Sequence, residues 1–280
     1  MTDQTHHCTA NDGQNESPDN GSMADTSFDY DVVIVGGGPA GLSAGVFTAR
    51  ADFRTLVVEH NRSLLRKSAH LENYLGFPAG VRPTTFLEIA QDHATNAGCV
   101  YVSGEVVDIK HAHSEDHSGD APETGAVDSG FIVSTADQQF ETRYVIVASW
   151  SDCSFLDTLG VERGTEDGGH VPIIEVDADG RTSVDGVYAA GRITDQHHQA
   201  IVNAGHGAHV AIALIEEVNP AFWNDWVAIE GYYDSYDKEV PVGVEEISHE
   251  ERERRIRDSR ATMRRYFGEH SVNEPEDAMR

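Results

Sequence analysis

Apolar residues in this 280-residue chain come in short bursts separated by polar or glycine-rich breaks. Asp31-Val-Val-Ile-Val35, Arg54 to Glu59 and Tyr144 to Ala148 are apolar without alternation, the pattern of strands covered on both faces. Val100 to Ile109, Val171 to Val176 and Gly186 to Gly191 read as further strands. Phe131 to Ser134 and Gln139 to Arg143 read as a hairpin pair. Helical spacing intervenes. Pro39 to Arg50 is packed with small residues, and Pro83 to Ala97 repeats Phe86, Ile89, Ala90 and Ala94 before Gly98 ends it. His198 to Val218 is a long helix whose first half is rich in Ala, Gly and His. Strands alternating with helices predict an α/β fold with a mostly parallel sheet and a β-meander.

Polar stretches set the boundaries. Residues 1 to 27 are rich in Asp, Asn, Ser, Thr and Gly and read as a disordered acidic tail. His111 to Gly130 reads as a polar loop, and 151 to 170 as an irregular connector. The main domain then runs from 28 to 218, in halves 28–150 and 171–218. Residues 219 to 280 form a mostly helical C-terminal extension with an aromatic cluster of Phe222, Trp223, Trp226, Tyr232, Tyr233 and Tyr236. Its segment Glu245 to Phe267 is predicted helical, with Glu250/Arg254, Glu251/Arg255 and Glu253/Arg257 at i,i+4.

Charge narrows the partners. The formal net charge is −28, with three lysines, Lys67, Lys110 and Lys238. Such a surface disfavours nucleic acid and anionic membranes. It fits adaptation to high salt, where screening relieves repulsion between carboxylates. No apolar run is long enough for a membrane span. Cys8, Cys99 and Cys153 form neither a C-x-x-C pair nor a zinc-type spacing, so a reducing, cytoplasmic setting is expected, with no metal site.

Gly36-Gly-Gly-Pro-Ala-Gly41 fits G-x-G-x-x-G between a strand and a helix, the context that a Rossmann-type dinucleotide site requires. Gly36 permits the tight turn, Gly38 lets backbone approach a pyrophosphate, and Gly41 lets helix pack on strand. Pro39 and Ala40 open the helix, whose N-terminus favours phosphate. Glu59 ends the next strand, where a carboxylate can accept hydrogen bonds from ribose hydroxyls. The motif alone leaves FAD and NAD both open.

Longer stretches narrow the choice. Gly38-Pro-Ala-Gly41, Leu71-Glu-Asn-Tyr-Leu-Gly-Phe-Pro78, Asp179 to Gly191, Gln199-Ala-Ile201 and Ala204-Gly205-His206-Gly207 together resemble the thioredoxin reductase family of FAD proteins over roughly residues 30 to 218. The resemblance implies FAD as cofactor. It puts Asn73 near the flavin ring, Gly191 beside the ribityl chain, and the backbone of Gln199 and Ala200 at the pyrimidine edge. Ile201, Val107, Ala148 and Arg192 complete the candidate cofactor contacts. The chain also departs from the family. The NADPH domain that the family inserts between the halves, and the C-x-x-C it carries, have no counterpart in residues 149 to 170. Ala148-Ser149-Trp150 replaces Ala-Thr-Gly, Arg192 replaces an Asp that holds a ribityl hydroxyl, and Ser63 to Ser68 replaces a Gly-Gly-Gln stretch. Arg192 is free, on this reading, to pair with pyrophosphate.

Cys153, after a central strand, is the candidate thiol, against an inert loop cysteine. His198 is the candidate proton-transfer group, against a capping or packing role. His206 and His209, one helical turn apart, carry the same alternatives. His6, His7, His111, His113 and His117 read as solvated. Arg62, Arg66 and Lys67 could meet phosphates or an acidic donor protein.

The expectation is a flavin-dependent oxidoreductase that is not an ordinary thioredoxin reductase. Its electrons would come from transient NAD(P)H or a separate redox protein and pass to a small molecule or thiol; a homodimer is left open. The alternatives are a non-catalytic FAD-binding sensor or scaffold, and a stand-alone NAD enzyme like the thiazole-forming enzymes of related architecture.

Overall fold

The computed structural model describes residues 27–60, 63–112, 130–150, 153–166 and 171–268. Residues 1 to 26 of the expected tail, most of the 111–130 loop, Arg62, and Cys8, His6, His7, His113 and His117 lie outside the described residues.

The chain opens with strand β1 (Tyr30–Val35), helix α1 (Pro39–Arg50) and strand β2 (Thr55–Glu59). Helix α2 (Pro83–Ala97) leads to β3 (Val100–Ser103), and β4 (Val106–His111) follows at once. β5 (Phe131–Thr135) and β6 (Gln139–Val147) complete the first half. The expected single strand from Val100 to Ile109 is therefore two. It breaks at Gly104-Glu105, where β3 pairs with β2 and β4 with β5.

The expected separate strands Gln139 to Arg143 and Tyr144 to Ala148 are instead one. β6 pairs antiparallel with β5 through Gln139–Thr142 and parallel with β9 (Val187–Ala189) through Val145–Val147. A polar first half and an apolar second half made one strand look like two. Its partner and surroundings change midway, while its backbone continues.

The seven-stranded sheet runs β3-β2-β1-β6-β5-β4, with β9 also on β6. Alternate residues feed two cores. Val33 and Val35 of β1, Leu56 and Val58 of β2, and Val145 and Val147 of β6 pack with Ile109, Phe131 and Leu156. Val32, Ile34, Val57 and Ile146 pack with Ala40, Ala44, Val210 and Leu214 of the helical layer. Fully burying each branched side chain contributes about 1.5–3 kcal/mol.

The connector is less irregular than expected. A 3-10 turn spans Ser154–Leu159, and β7 (Arg163–Thr165) pairs with β8 (Pro172–Ile174). The long helix α3 (Ala200–Val218) then packs along α1.

The C-terminal extension is less helical than predicted. β10 (Trp226–Ile229) and β11 (Val244–Ile247) form a two-stranded parallel sheet before helix α4 (His249–Phe267). Residues 245–247 are thus strand rather than the start of the predicted helix. Ser248 ends the extended stretch, and its hydroxyl accepts from the Glu251 N–H as the N-cap.

Polar contacts help dock this extension. Arg50 at the end of α1 makes a paired salt bridge to Asp225, at 2.6 and 2.7 Å, and Tyr266 donates to Asp92 of α2. No described helix is long and apolar enough to cross a membrane.

Candidate functional site

β1 runs onward to β2 and β3 on one side, while β6 and β9 lie on the other, so chain direction switches between β1 and β6. Ligands bind at such a switch, outside the carboxyl ends of the strands. There the structure has a cleft of about 600 Å³, within the range of small-molecule sites, lined by Gly36, Gly38, Pro39, Ala40, Glu59, Ala148, Trp150, Arg192, His198 and Gln199, among others. A second hollow, of about 510 Å³, lies at the opposite strand ends, around Tyr30, Arg54, Thr55 and Phe140. No helix starts there, and its Arg54 is already bound to Asp31 and to the Phe28 carbonyl. The chemistry belongs to the first cleft.

The glycine loop has the form the motif predicts. Gly36 has φ +115° and touches the end of β6 so closely that a Cβ would lie 2.6 Å from the Ala148 carbonyl oxygen. A Cβ on Gly41 would overlap the Gly36 carbonyl. Gly38 differs: its nearest neighbour on that side is Ser63 Oγ, at 3.6 Å, so the space above it opens to the cleft. No side chain caps α1, and no acidic residue lies in its first turn. Its N-terminal N–H groups and positive dipole end are left for an anion. Glu59 is buried at the end of β2 and accepts from the Gly37 N–H, which fixes its carboxylate at the cleft wall. Tyr101 packs beside it; burial, with Glu59 nearby, raises that phenol to about 12.

The opposite wall is the start of α3, also without a side-chain cap. Gln199 holds the N-cap position, and its side-chain oxygen accepts from Asn73 Nδ2 at 2.6 Å. The structure thus joins two residues 126 positions apart that the sequence assigned separately to the flavin ring. Asn203 donates to the carbonyls of His197 and Gln199, at 3.0 and 2.8 Å, and shapes this helix start. Ala200 lines the cleft. Ile201 is on the adjoining turn, exposed and outside the lining set.

Other expectations are relocated. Arg192 does not stand open for a pyrophosphate. Its guanidinium pairs with Glu166 and Asp195, donates to His198 Nε2 at 2.6 Å, and lies 5.5 Å over the Trp150 ring. Only 9% of its side chain is exposed. His198 also contacts Trp150, with ring centroids 5.0 Å apart. As acceptor from Arg192 it is neutral; burial first, and Arg192 second, lower its pKa.

Cys153 is buried in the core with Phe155 and Leu156 and is not a cleft thiol. Cys99 is core; its thiol donates to the Gly45 carbonyl and is pushed up to about 11 by burial. Val107 is 54% exposed at a register shift in β4, and its neighbour Val106 lines the cleft instead. The bulge turns one residue out of the alternation that would have brought it inward. Among described residues no group of three or more His, Cys, Asp or Glu side chains is placed to hold a metal.

Sequence reasoning missed Glu166, Asn203 and the role of His206. Glu166 lies in the connector, which has no periodicity to mark it. His206 Nδ1 accepts from the Gly191 N–H at 2.9 Å, tying α3 to the chain after β9.

The cleft fits FAD on its own features. Two uncapped helix N-termini, one open glycine approach and one anchored carboxylate converge on a single cleft. Comparison with known proteins agrees. Residues 31–69 match the family model described as FAD binding domain. The thioredoxin reductase of Aquifex aeolicus is 31% identical over 122 residues, covering 43% of this chain and 33% of that protein. The thioredoxin reductase of Bacillus subtilis is 34% identical over 82 residues, covering 29% and 26%. The chain therefore spans about a third or less of the length of these curated relatives.

Among solved structures, a thioredoxin reductase from Gloeobacter violaceus superposes with a TM-score of 0.56 at 18% identity, covering 69% of this chain and 96% of that one. The atypical thioredoxin reductase TRi from Desulfovibrio vulgaris Hildenborough gives 0.55 at 19%, covering 68% and 99%. At such identities the likeness is one of fold. The chain has the fold of a thioredoxin-reductase-like FAD-binding domain.

Proposed function

We propose that this domain binds FAD in the cleft between the glycine loop and the start of α3, and works as a flavin-dependent oxidoreductase supplied with electrons from outside the chain. The convergence of two uncapped helix N-termini with the Gly37-anchored Glu59 carries the reading. FAD, when bound, supplies reversible two-electron transfer. The protein contributes binding, orientation and electrostatics. Glu59 holds the adenosine ribose hydroxyls, α1 faces the pyrophosphate, and Gln199 and Ala200 at the α3 N-terminus favour negative charge on the reduced ring.

The donor is NAD(P)H binding transiently, or a small redox protein; the acceptor is a small molecule or a thiol. The sequence supports this with one G-x-G-x-x-G, no C-x-x-C and a short connector from 149 to 170. A dithiol relay of the ordinary thioredoxin reductase kind has no support in the described cysteines, since Cys99 and Cys153 are both buried.

The first test is the absorption spectrum of whatever denaturation releases from purified protein. A flavin spectrum is expected; a nicotinamide spectrum would support the NAD reading instead. Anaerobic titration then separates the rest. Bleaching by NADH, NADPH or reduced ferredoxin supports turnover. Bleaching by dithionite alone leaves a redox sensor or scaffold. The Phe77–Phe267 contact, with centroids 6.3 Å apart, favours that second reading, because it joins the loop beside Asn73 to the C-terminal extension.

A further inference from the structure

We propose that His206 is a positioning residue for the cofactor cleft and that, through it, acid releases FAD. The inference rests on the FAD reading above and adds to it a group on the far side of the cleft wall.

Gly191 follows β9 and immediately precedes Arg192, which lines the cleft. It has φ +80°, and a Cβ there would lie 2.6 Å from Ala40 Cβ on the first turn of α1. The conformation and the close approach both need glycine. The placement of Gly191 therefore sets how the segment carrying Arg192 meets the glycine-loop helix. Gly191 itself is bonded at both of its backbone polar groups. The Thr194 hydroxyl donates to the Gly191 carbonyl at 2.8 Å, and the Gly191 N–H donates to His206 Nδ1 at 2.9 Å. The second fixes the imidazole in the neutral form, with its proton on Nε2. Protonating Nδ1 would set one N–H against another and leave the Gly191 donor without its acceptor.

Among the described residues no acidic side chain pairs with the His206 ring. His209, one turn along α3, opposes a positive charge on His206; it is itself 3.7 Å from Asp179. Thr194 Oγ1, at 3.4 Å, is neutral. The α1 sequence has no ionisable side chain before Arg50 at its far end. Arg192, on the same segment as Gly191, is committed to Glu166, Asp195 and His198. Burial first, and His209 second, lower the His206 pKa.

A folded-state pKa below the unfolded value of about 6.5 means that the bond contributes fully above that pH and is lost as pH falls through the folded value. FAD affinity should then be level at neutral and higher pH, and should fall on acidification by up to about tenfold per pH unit, the limit for one linked proton.

The test is FAD affinity, read from quenching of flavin fluorescence between pH 8 and pH 5, for full-length wild type, His206→Asn and His206→Leu. Asn keeps an acceptor near the Nδ1 position and does not titrate. It should bind FAD at neutral pH within a few-fold of wild type and lose most of the acid-dependent fall. Leu should bind weakly at all pH values. Thermal melts of the FAD-free proteins provide a second readout, with the acid loss of stability smaller in His206→Asn. Wild-type and Asn profiles that coincide would overturn the proposal, as would a wild-type affinity that does not change with pH. A wild type that binds no FAD at any pH would instead overturn the underlying reading, and the melts would still test the His206–Gly191 bond.

Discussion

Single residues carry most of what was legible about binding. The glycines could be read because their reason is local: a strand end, a turn and a helix start lie within eleven residues, and only glycine fits at the contacts. Gly41 makes this testable. A methyl group there overlaps the Gly36 carbonyl, so strand end or helix must shift. Gly41→Ala should lose about 3 kcal/mol of stability, the upper part of the overpacking range, as a lower urea midpoint with unchanged slope. Glu59 was equally legible, being the acidic end of an apolar run. Glu59→Ala should weaken FAD binding by roughly tenfold to a hundredfold, the value of one or two hydrogen bonds to a charged acceptor, while leaving the flavin absorption maximum in place. An isothermal titration against FAD would measure it, and an affinity equal to wild type would remove Glu59 from the site. Arg192 and Glu166 were not legible as a pair. Their 26-residue separation crosses the connector, and nothing in either neighbourhood points to the other. Arg192 looked available for phosphate because its partner was invisible.

Elements were legible wherever both faces are buried in the same way along their length. Helices α1 and α2 begin and end where spacing and helix-boundary residues put them, each with Pro at its first turn, and α2 with Gly98 at its end. Strand β6 was split by the reading because its environment changes at its midpoint, and β3 and β4 were fused because Gly104-Glu105 is too short a break to stand out. The extension failed for a different reason. Four-residue strands such as β10 and β11 contain too few positions for alternation to show. The helix start was present in the sequence all the same: Ser248-His-Glu-Glu251 places a capping hydroxyl three residues before a glutamate, and the Ser248 Oγ does accept from the Glu251 N–H, at 3.2 Å. Glu251 itself turns forward to Arg254 and Arg255, which hold its carboxyl at about 2. Ser248→Ala should therefore cost about 1 kcal/mol locally. Amide exchange in the first turn of α4 should speed up roughly fivefold, with the core strands unchanged. Acceleration throughout the sheet would mean instead that the extension and the domain unfold as one unit.

At the scale of the whole molecule the dominant fact is the imbalance of 48 acidic against 20 basic side chains. Cations are scarce, and several described arginines are shared. Arg181 serves Asp177, Asp179 and Glu217, and Arg255 serves Glu245 and Glu251. Salt acts on this surface in two opposed ways. It weakens these exposed bridges, each of which contributes at most about 1 kcal/mol. It also screens the repulsion among the remaining carboxylates, which extends over about 10 Å at 0.1 M and only about 3 Å at 1 M. A net charge of −28 leaves more repulsive than attractive pairs, so the second effect is the larger. The midpoint of thermal unfolding should rise steadily from 0.1 M to 2 M KCl, and it should do so with chloride as well as with sulfate, because the cause is screening and not exclusion of a particular anion. Lowering the pH toward the sequence isoelectric point of about 4.7 removes the same repulsion by protonation, so the salt response should shrink there. If the midpoint were flat in KCl at neutral pH, the shared-arginine networks would have to balance the repulsion on their own, and neutralising Arg181 or Arg255 would then destabilise the protein well beyond what exposed ion pairs contribute.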